Sequence, residues 1–563
     1  MLGASFILFP ALGGASLERA EIYFLDGARA MVEDGDWLVP RYQARPFFDK
    51  PPLTYWLMAL SFELCGVSKG AGRLVPAVAA LLLLLATFWL GRLLLDRRAG
   101  LAAMIILATS VGFMSFGRVA MSDMLLAFLS TLAVALGVKL RDASVAWALP
   151  ALGAVLGLGF LNKGPIAVLL PGLGLALLAW QRRRETLPKP RALALAAALF
   201  AVLGFAWFAA IYARLGAEPL VHFFLHENLQ RFATDAYDSG QPFLFYLGAY
   251  LSVGAPWSAF FALAAARALR PRDVVVPGAA AARFLLLWLV LMLVPLSLSR
   301  GKIDYYLLPL LPAFSLLLGR HFAQASWGPL ERRWAAATLA LGAAALGLVP
   351  LALQQIPDAW ISPGRRVGLV AVAASGALAL LATARRPSPR RTLSALAAVT
   401  GAVAIAVVTL LVPAFVAAQP NRSVVERVER ELARRPEAGV VSCQDPARVQ
   451  RDILFFARHA VVERCDLWQV ASGRRPTLLL LQQGEYESLA RLPRLRLVSI
   501  HAYVPAASMS LDKLDRAQPA RLFLVANYPG PRYRDQQTRP TPKHKELMKH
   551  LRQRRGHRQR KAS

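Results

Sequence analysis

Apolar runs of about 17 to 25 residues recur from the start of the chain to about residue 420, each long enough to cross a hydrocarbon core of about 30 Å. They lie near 1–14, 73–91, 99–117, 122–138, 144–161, 164–180, 192–213, 242–266, 283–299, 303–320, 334–353, 367–384 and 393–417. This pattern predicts an α-helical multi-pass membrane protein with about 13 transmembrane helices. Met1–Leu12 is short for a span and lacks a basic start. The first helix is therefore predicted to be shortened, or completed by residues upstream.

The polar gaps alternate in character. Arg92, Arg97 and Arg98 form one basic loop; Lys139 with Arg141, Arg182-Arg183-Arg184, Arg267 with Arg270 and Arg272, Arg320 with Arg332 and Arg333, and Arg385-Arg386 with Arg390-Arg391 form the others. Short arginine-rich loops stay in the cytoplasm, so the intervening gaps face outward, notably those near 15–70 and 214–241. The register predicts an odd number of spans and an outward C-terminal segment.

The pattern changes after Pro420. Val424–Arg434 is apolar at helical spacing, and Gly439–Val441, Thr477–Leu481, Leu495–Ile500 and Arg521–Val525 read as short buried strands. We therefore divide the chain into a membrane domain (1–419), a small α/β domain (420–532) and a basic, disordered tail (533–563). The tail is a solvated charged end or a contact for anionic head groups.

Composition sharpens this picture. The chain is 56% hydrophobic with net charge +31 and mean hydropathy +0.44. The charge lies mostly in loops and tail, where it sets membrane topology, so no nucleic-acid partner is inferred. Cys65, Cys443 and Cys465 lack metal-ligand spacing; Cys443 and Cys465 can pair in an oxidising compartment or remain as thiols. No 20–50-residue repeat and no matched pair of interrupted helices is present.

Candidate chemistry collects at the outward edges. Glu18–Trp56 is polar and aromatic between apolar segments. Glu21 shares a helix side with Leu17, Leu25 and Ala28, so it faces inward and is the preferred catalytic base, whereas Asp26 reads as solvated. Asp49-Lys50-Pro51-Pro52 is a turn that sets Lys50 at the membrane boundary. Lys163 and Lys302 occupy similar edges. Each can be a snorkelling side chain. Several on one outward face suit a lipid phosphate instead, since grouped cations stabilise charge on a departing phosphate. Asp123 either caps its helix, with Ser122, or aims a carboxylate at the external cavity. His222 and His226, one helical turn apart, are either metal ligands or interfacial packing.

These residues resemble a known family. Glu21, Ala28-Arg29-Ala30-Met31, Gly35-Asp36-Trp37-Leu38-Val39-Pro40 and Phe48-Asp49-Lys50-Pro51-Pro52-Leu53 are similar to bacterial polyprenyl-phosphate-sugar glycosyltransferases, relatives of protein O-mannosyltransferases and lipid A aminoarabinose transferases. The likeness continues at Arg118, Ser122-Asp123, Lys163-Gly164, His226-Glu227-Asn228-Leu229-Gln230-Arg231-Phe232, Ala255-Pro256-Trp257 and Lys302 with Tyr305-Tyr306, covering roughly residues 15–320. Where some members carry an Asp-Glu pair, this chain has Ala20-Glu21.

The resemblance implies a GT-C fold, an undecaprenyl-phosphate-sugar donor and transfer at the periplasmic face of the bacterial inner membrane to lipid A or another envelope acceptor. Carried over by position, Glu21 and Asp123 are catalytic. Lys50, Lys163, Arg231 and Lys302 hold the donor phosphate, and Asp49 with His226 would take a divalent metal. The expected reaction is inverting displacement at the anomeric carbon. A lipid-linked sugar flippase would instead carry charges deep in its spans. A surface-polysaccharide polymerase or ligase would use a lipid-pyrophosphate donor.

Overall fold

A computed structural model describes residues 2–15, 17–43, 45–140, 147–181, 189–230, 233, 241–270, 278–356, 361–414, 421–435, 438–442, 460–462, 467–473, 476–489, 495–503 and 520–527. Outside these residues lie Arg231, Cys443 and Cys465, the tail from Tyr533, and the loop arginines Arg141, Arg182, Arg183, Arg184 and Arg272. The chain forms two compact units, Met1–Val425 with Pro446–His459, and Glu426–Asp445 with Ala460–Ser563.

The first unit is helical. Six of its described helices are long and apolar enough to cross a bilayer: Lys69–Leu94, Pro190–Leu215, Ala279–Leu298, Pro329–Gln354, Pro363–Arg385 and Pro389–Ala414. A seventh arises if Phe245–Val253 and Trp257–Leu269, bent by 113°, act as one span. The remaining apolar runs form shorter or broken helices. The run near 99–117 divides into Arg97–Ala108 and Val111–Phe116. The run near 303–320 opens with the 3-10 turn Asp304–Leu310 before Leu311–Phe322.

The first helix, α1 (Leu2–Leu8), is indeed short. Its free carbonyls are taken up by Arg118, whose guanidinium donates to the carbonyl oxygens of Leu8 (3.3 Å) and Pro10 (2.6 Å). The polar segment near 15–70 is itself helical. It holds α2 (Arg19–Asp34), a two-residue hairpin pairing Tyr42 with Arg45, and α3 (Leu53–Cys65). A capping box between Glu18 and Glu21 starts α2, and Gly35 in the left-handed conformation ends it. Pro51 and Pro52 close the preceding turn and start α3.

Four further helices frame the site: α4 (Lys69–Leu94), α7 (Asp123–Lys139), α8 (Ala148–Lys163) and α9 (Ile166–Gln181), with α5 and α6 being the divided pair above. Ser68 caps α4 and Asp96 caps α5 through side-chain acceptors. Small residues let α4 and α5 approach: a Cβ on Gly91 would sit 2.6 Å from Gly100 Cα. Buried indoles are satisfied within the core, Trp288 by the Leu170 carbonyl (3.1 Å) and Trp257 by Thr109 Oγ1 (3.0 Å).

The second unit contains a five-stranded sheet in spatial order Ala460–Val462, Gly439–Ser442, Thr477–Gln482, Ala520–Ala526, Arg496–Tyr503. The first three strands run parallel and the last two pair antiparallel. Leu478, Leu479, Leu480 and Leu481 are all buried, as a central strand covered on both faces requires. The strand Ala460–Val462 has no counterpart in the sequence reading; three residues are too few to show a period.

Candidate active site

The turn before α3 places Asp49 and Lys50. Lys50 Nζ donates to the Asp49 carbonyl (2.7 Å) and pairs with the buried Glu227 carboxylate at 3.3 Å. Asp49 Oδ1 lies 3.0 Å from His222 Nε2. Asp123 is the first residue of α7 and Lys163 the last of α8; their side chains form an ion pair, and Asp123 is buried. Lys163 Nζ also sits over the Tyr306 ring, 5.0 Å from its centroid. Four of the expected site residues, Asp49, Lys50, Asp123 and Lys163, thus converge from three chain segments.

One fully buried amide ties those segments. Asn162 Oδ1 accepts from Thr54 Oγ1 (2.6 Å), and its Nδ2 donates to the Ser122 carbonyl (3.1 Å). Asn162 precedes Lys163, Ser122 precedes Asp123, and Thr54 follows Lys50 by one turn. Sequence reasoning missed this residue, whose partners are 108 and 40 residues away.

Two adjoining spaces open here. The larger, about 540 Å³, has Asp49, Lys50, Asp123, Lys163 and Glu227 at the element ends, and Leu126, Ile166, Leu169, Leu170, Phe223 and Leu296 farther along. The smaller, about 110 Å³, shares Asp49, Lys50, Asp123, Lys163 and Tyr306 with it and is otherwise mostly aromatic, with Tyr23, Phe24, Phe47, Tyr55 and Tyr305.

The other expected residues fall elsewhere. Glu21 is fully buried and accepts four hydrogen bonds: from the Glu18 N–H (2.8 Å), the Ala120 N–H (2.8 Å), Arg73 Nε (2.7 Å) and Arg73 Nη2 (2.8 Å). It faces inward as the helical pattern predicts, but toward α4, and lines neither space. Asp26 is not solvated; it is buried against Arg29 and takes the Gln43 N–H at 2.8 Å. Burial raises its pKa against the lowering influence of Arg29. Lys302 is buried with Nζ on the Gln241 carbonyl (3.1 Å) and lines neither space. Arg231 lies outside the described residues.

His226 is exposed and turned to Gln230 at 2.8 Å. In its place, Asp49, His222 and Glu227 bring ligand atoms within 4.8 Å of one another. The cause is local. Residues His222–Gln230 wind as a π-helix, in which positions i and i+5 meet. At 3.6 residues per turn His222 and Glu227 would stand about 140° apart. This oxygen–nitrogen–oxygen set fits a divalent ion and leaves coordination positions open, with the Lys50 ammonium as competitor for Glu227.

Residues 49–209 match the family model for dolichyl-phosphate-mannose-protein mannosyltransferase. The undecaprenyl phosphate-alpha-4-amino-4-deoxy-L-arabinose arabinosyl transferase of Pseudomonas aeruginosa (strain UCBPP-PA14) is 35% identical over 311 residues, 53% of this chain and 54% of that one. The protein of that name from Pectobacterium carotovorum subsp. carotovorum (strain PC1) is 31% identical over 368 residues, 62% and 64% of the two chains. The chain thus spans about half the length of the first of these curated relatives. The crystal structure of ArnT from Cupriavidus metallidurans bound to undecaprenyl phosphate superposes with TM-score 0.74 at 21% identity, covering 94% of this chain and 98% of that one. Its apo form gives 0.72. The likeness to polyprenyl-phosphate-sugar glycosyltransferases therefore holds in sequence and in fold, and the chain is a helical multi-pass membrane protein of GT-C architecture.

Proposed function

We propose that this chain moves one sugar from an undecaprenyl-phosphate donor to an envelope acceptor, lipid A foremost, at the periplasmic face of the inner membrane. One observation carries the reading. A single space is ionic at the helix ends and apolar beyond them, which suits a phosphate joined to a long hydrocarbon. The names of the relatives, aminoarabinose transferases, point to the same donor class.

In this reading the prenyl chain lies along Leu169, Leu170 and Leu296, and the phosphate meets Lys50 and Lys163. The sugar enters the aromatic chamber. The acceptor oxygen attacks the anomeric carbon as the carbon–oxygen bond to phosphate breaks, and undecaprenyl phosphate leaves with the bonding pair. Lysine charge stabilises that departing oxygen. A hydroxyl acceptor would pass its proton to Asp123; a phosphate acceptor needs no base. Glu21, saturated by four donors, serves as a tie between helices. A divalent metal held by Asp49, His222 and Glu227 would add positive charge beside the leaving phosphate.

The test is incubation of the purified protein with undecaprenyl-phosphoryl-4-amino-4-deoxy-L-arabinose and lipid A. A pentosamine mass increment on lipid A is expected. Sugar-lipid translocation in liposomes with no covalent transfer would sink the proposal, as would release of pyrophosphate with a lengthening glycan.

A further inference from the structure

We propose that Tyr55 determines which sugar is accepted: its phenolic hydroxyl donates a hydrogen bond to an oxygen of the monosaccharide in the small chamber. This rests on the donor reading above and deepens it by assigning a specificity residue.

Tyr55 lines that chamber and is fully buried, and its hydroxyl has no hydrogen-bond partner among the described residues. A buried hydroxyl left unmatched is costly, and a ligand oxygen would remove the cost. Another buried tyrosine, Tyr250, also lacks a partner among the described residues, but it belongs to the apolar core and lines neither space. Tyr55 differs from it by lining a chamber that also holds the lysines.

The chain makes room for this ring. Gly27 stands within α2, where glycine weakens a helix. A Cβ there would lie 2.7 Å from Tyr55 Cε1. Phe24, one turn earlier, packs on the same ring at 5.1 Å. The position of the phenol is thus specified from two sides.

The chamber's charges are already engaged: Asp123 with Lys163, Lys50 with Glu227, and Asp49 with His222. Its volume, about 110 Å³, holds on the order of four waters, so it admits part of a single sugar and leaves the remainder to the larger space beside it. Tyr23, Phe47 and Tyr305 give the chamber an aromatic wall against which sugar C–H groups can pack. A neutral donor set deep in an aromatic wall rejects an analogue lacking the matching oxygen, because the hydroxyl is then left unpaired again.

The experiment uses Tyr55→Phe, which keeps the ring and deletes only the hydroxyl. Full-length protein in nanodiscs is titrated with two probes, undecaprenyl phosphate and undecaprenyl-phosphoryl-4-amino-4-deoxy-L-arabinose. The variant is expected to lose about tenfold in affinity for the sugar-bearing lipid and to bind the sugarless lipid as wild type does. Equal affinity of variant and wild type for the sugar-bearing lipid overturns the assignment of Tyr55. Parallel weakening for both lipids overturns it too, as a structural effect. A wild-type protein that gains nothing from the sugar contradicts the donor reading instead. Should the variant not fold, wild type is tested with donors each lacking one sugar hydroxyl: a drop of about tenfold for one of them supports the proposal, and uniform affinity across the series overturns it.

Discussion

Glu21 with Arg73 and Asp123 with Lys163 are both buried carboxylate–cation pairs that join distant helices, yet they differ in what lies beside them. Every donor around Glu21 belongs to the chain, and no described space touches it. Asp123 and Lys163 form a wall shared by two spaces. Burial and pairing alone therefore do not mark a reactive group; room for a substrate against the pair does.

The contrast can be tested in descending order of effect. Arg73→Ala strands the Glu21 carboxylate and is expected to cost about 3–5 kcal/mol of stability. This would appear as a lower thermal midpoint in detergent, with transfer per folded molecule retained. If Glu21→Gln abolished transfer at unchanged stability, the contrast would fail. Lys50→Ala and Asp123→Asn should each lower transfer about 100- to 1000-fold at normal protein level. Turnover at the wild-type rate in either variant would remove that residue from the chemistry. Asn162→Ala releases the tie between the helix ends and should lower kcat about 10- to 100-fold while donor KM moves about twofold or less. Smallest is the metal comparison. His222→Ala should weaken retention of divalent metal at least about tenfold by elemental analysis, and His226→Ala should leave it unchanged.

Much of the frame was legible in the sequence. Apolar length foretold helices, and the edge residues Asp49, Lys50, Asp123 and Lys163 singled out in the sequence line a common space. What escaped depends on distant or irregular geometry. Glu21 looked available because two of its partners, Arg73 and Ala120, lie 52 and 99 residues away. Asp26 looked solvated because the Gln43 N–H that buries it comes from beyond the helix. Lys302 resembled the other edge lysines, but its ammonium is spent on a carbonyl. Tyr55 and Asn162 carry no local pattern at all. Glu227 escapes because ordinary helical spacing pairs His222 with His226, whereas the chain here winds more loosely.

That loose winding is a surplus of one amino acid. Excising Leu225 would let the segment tighten into an ordinary screw, with imidazole and carboxylate four positions apart and still on one side. The extra turn-width is thus dispensable for bringing those two groups together, and a chain shortened by one there should keep its grip.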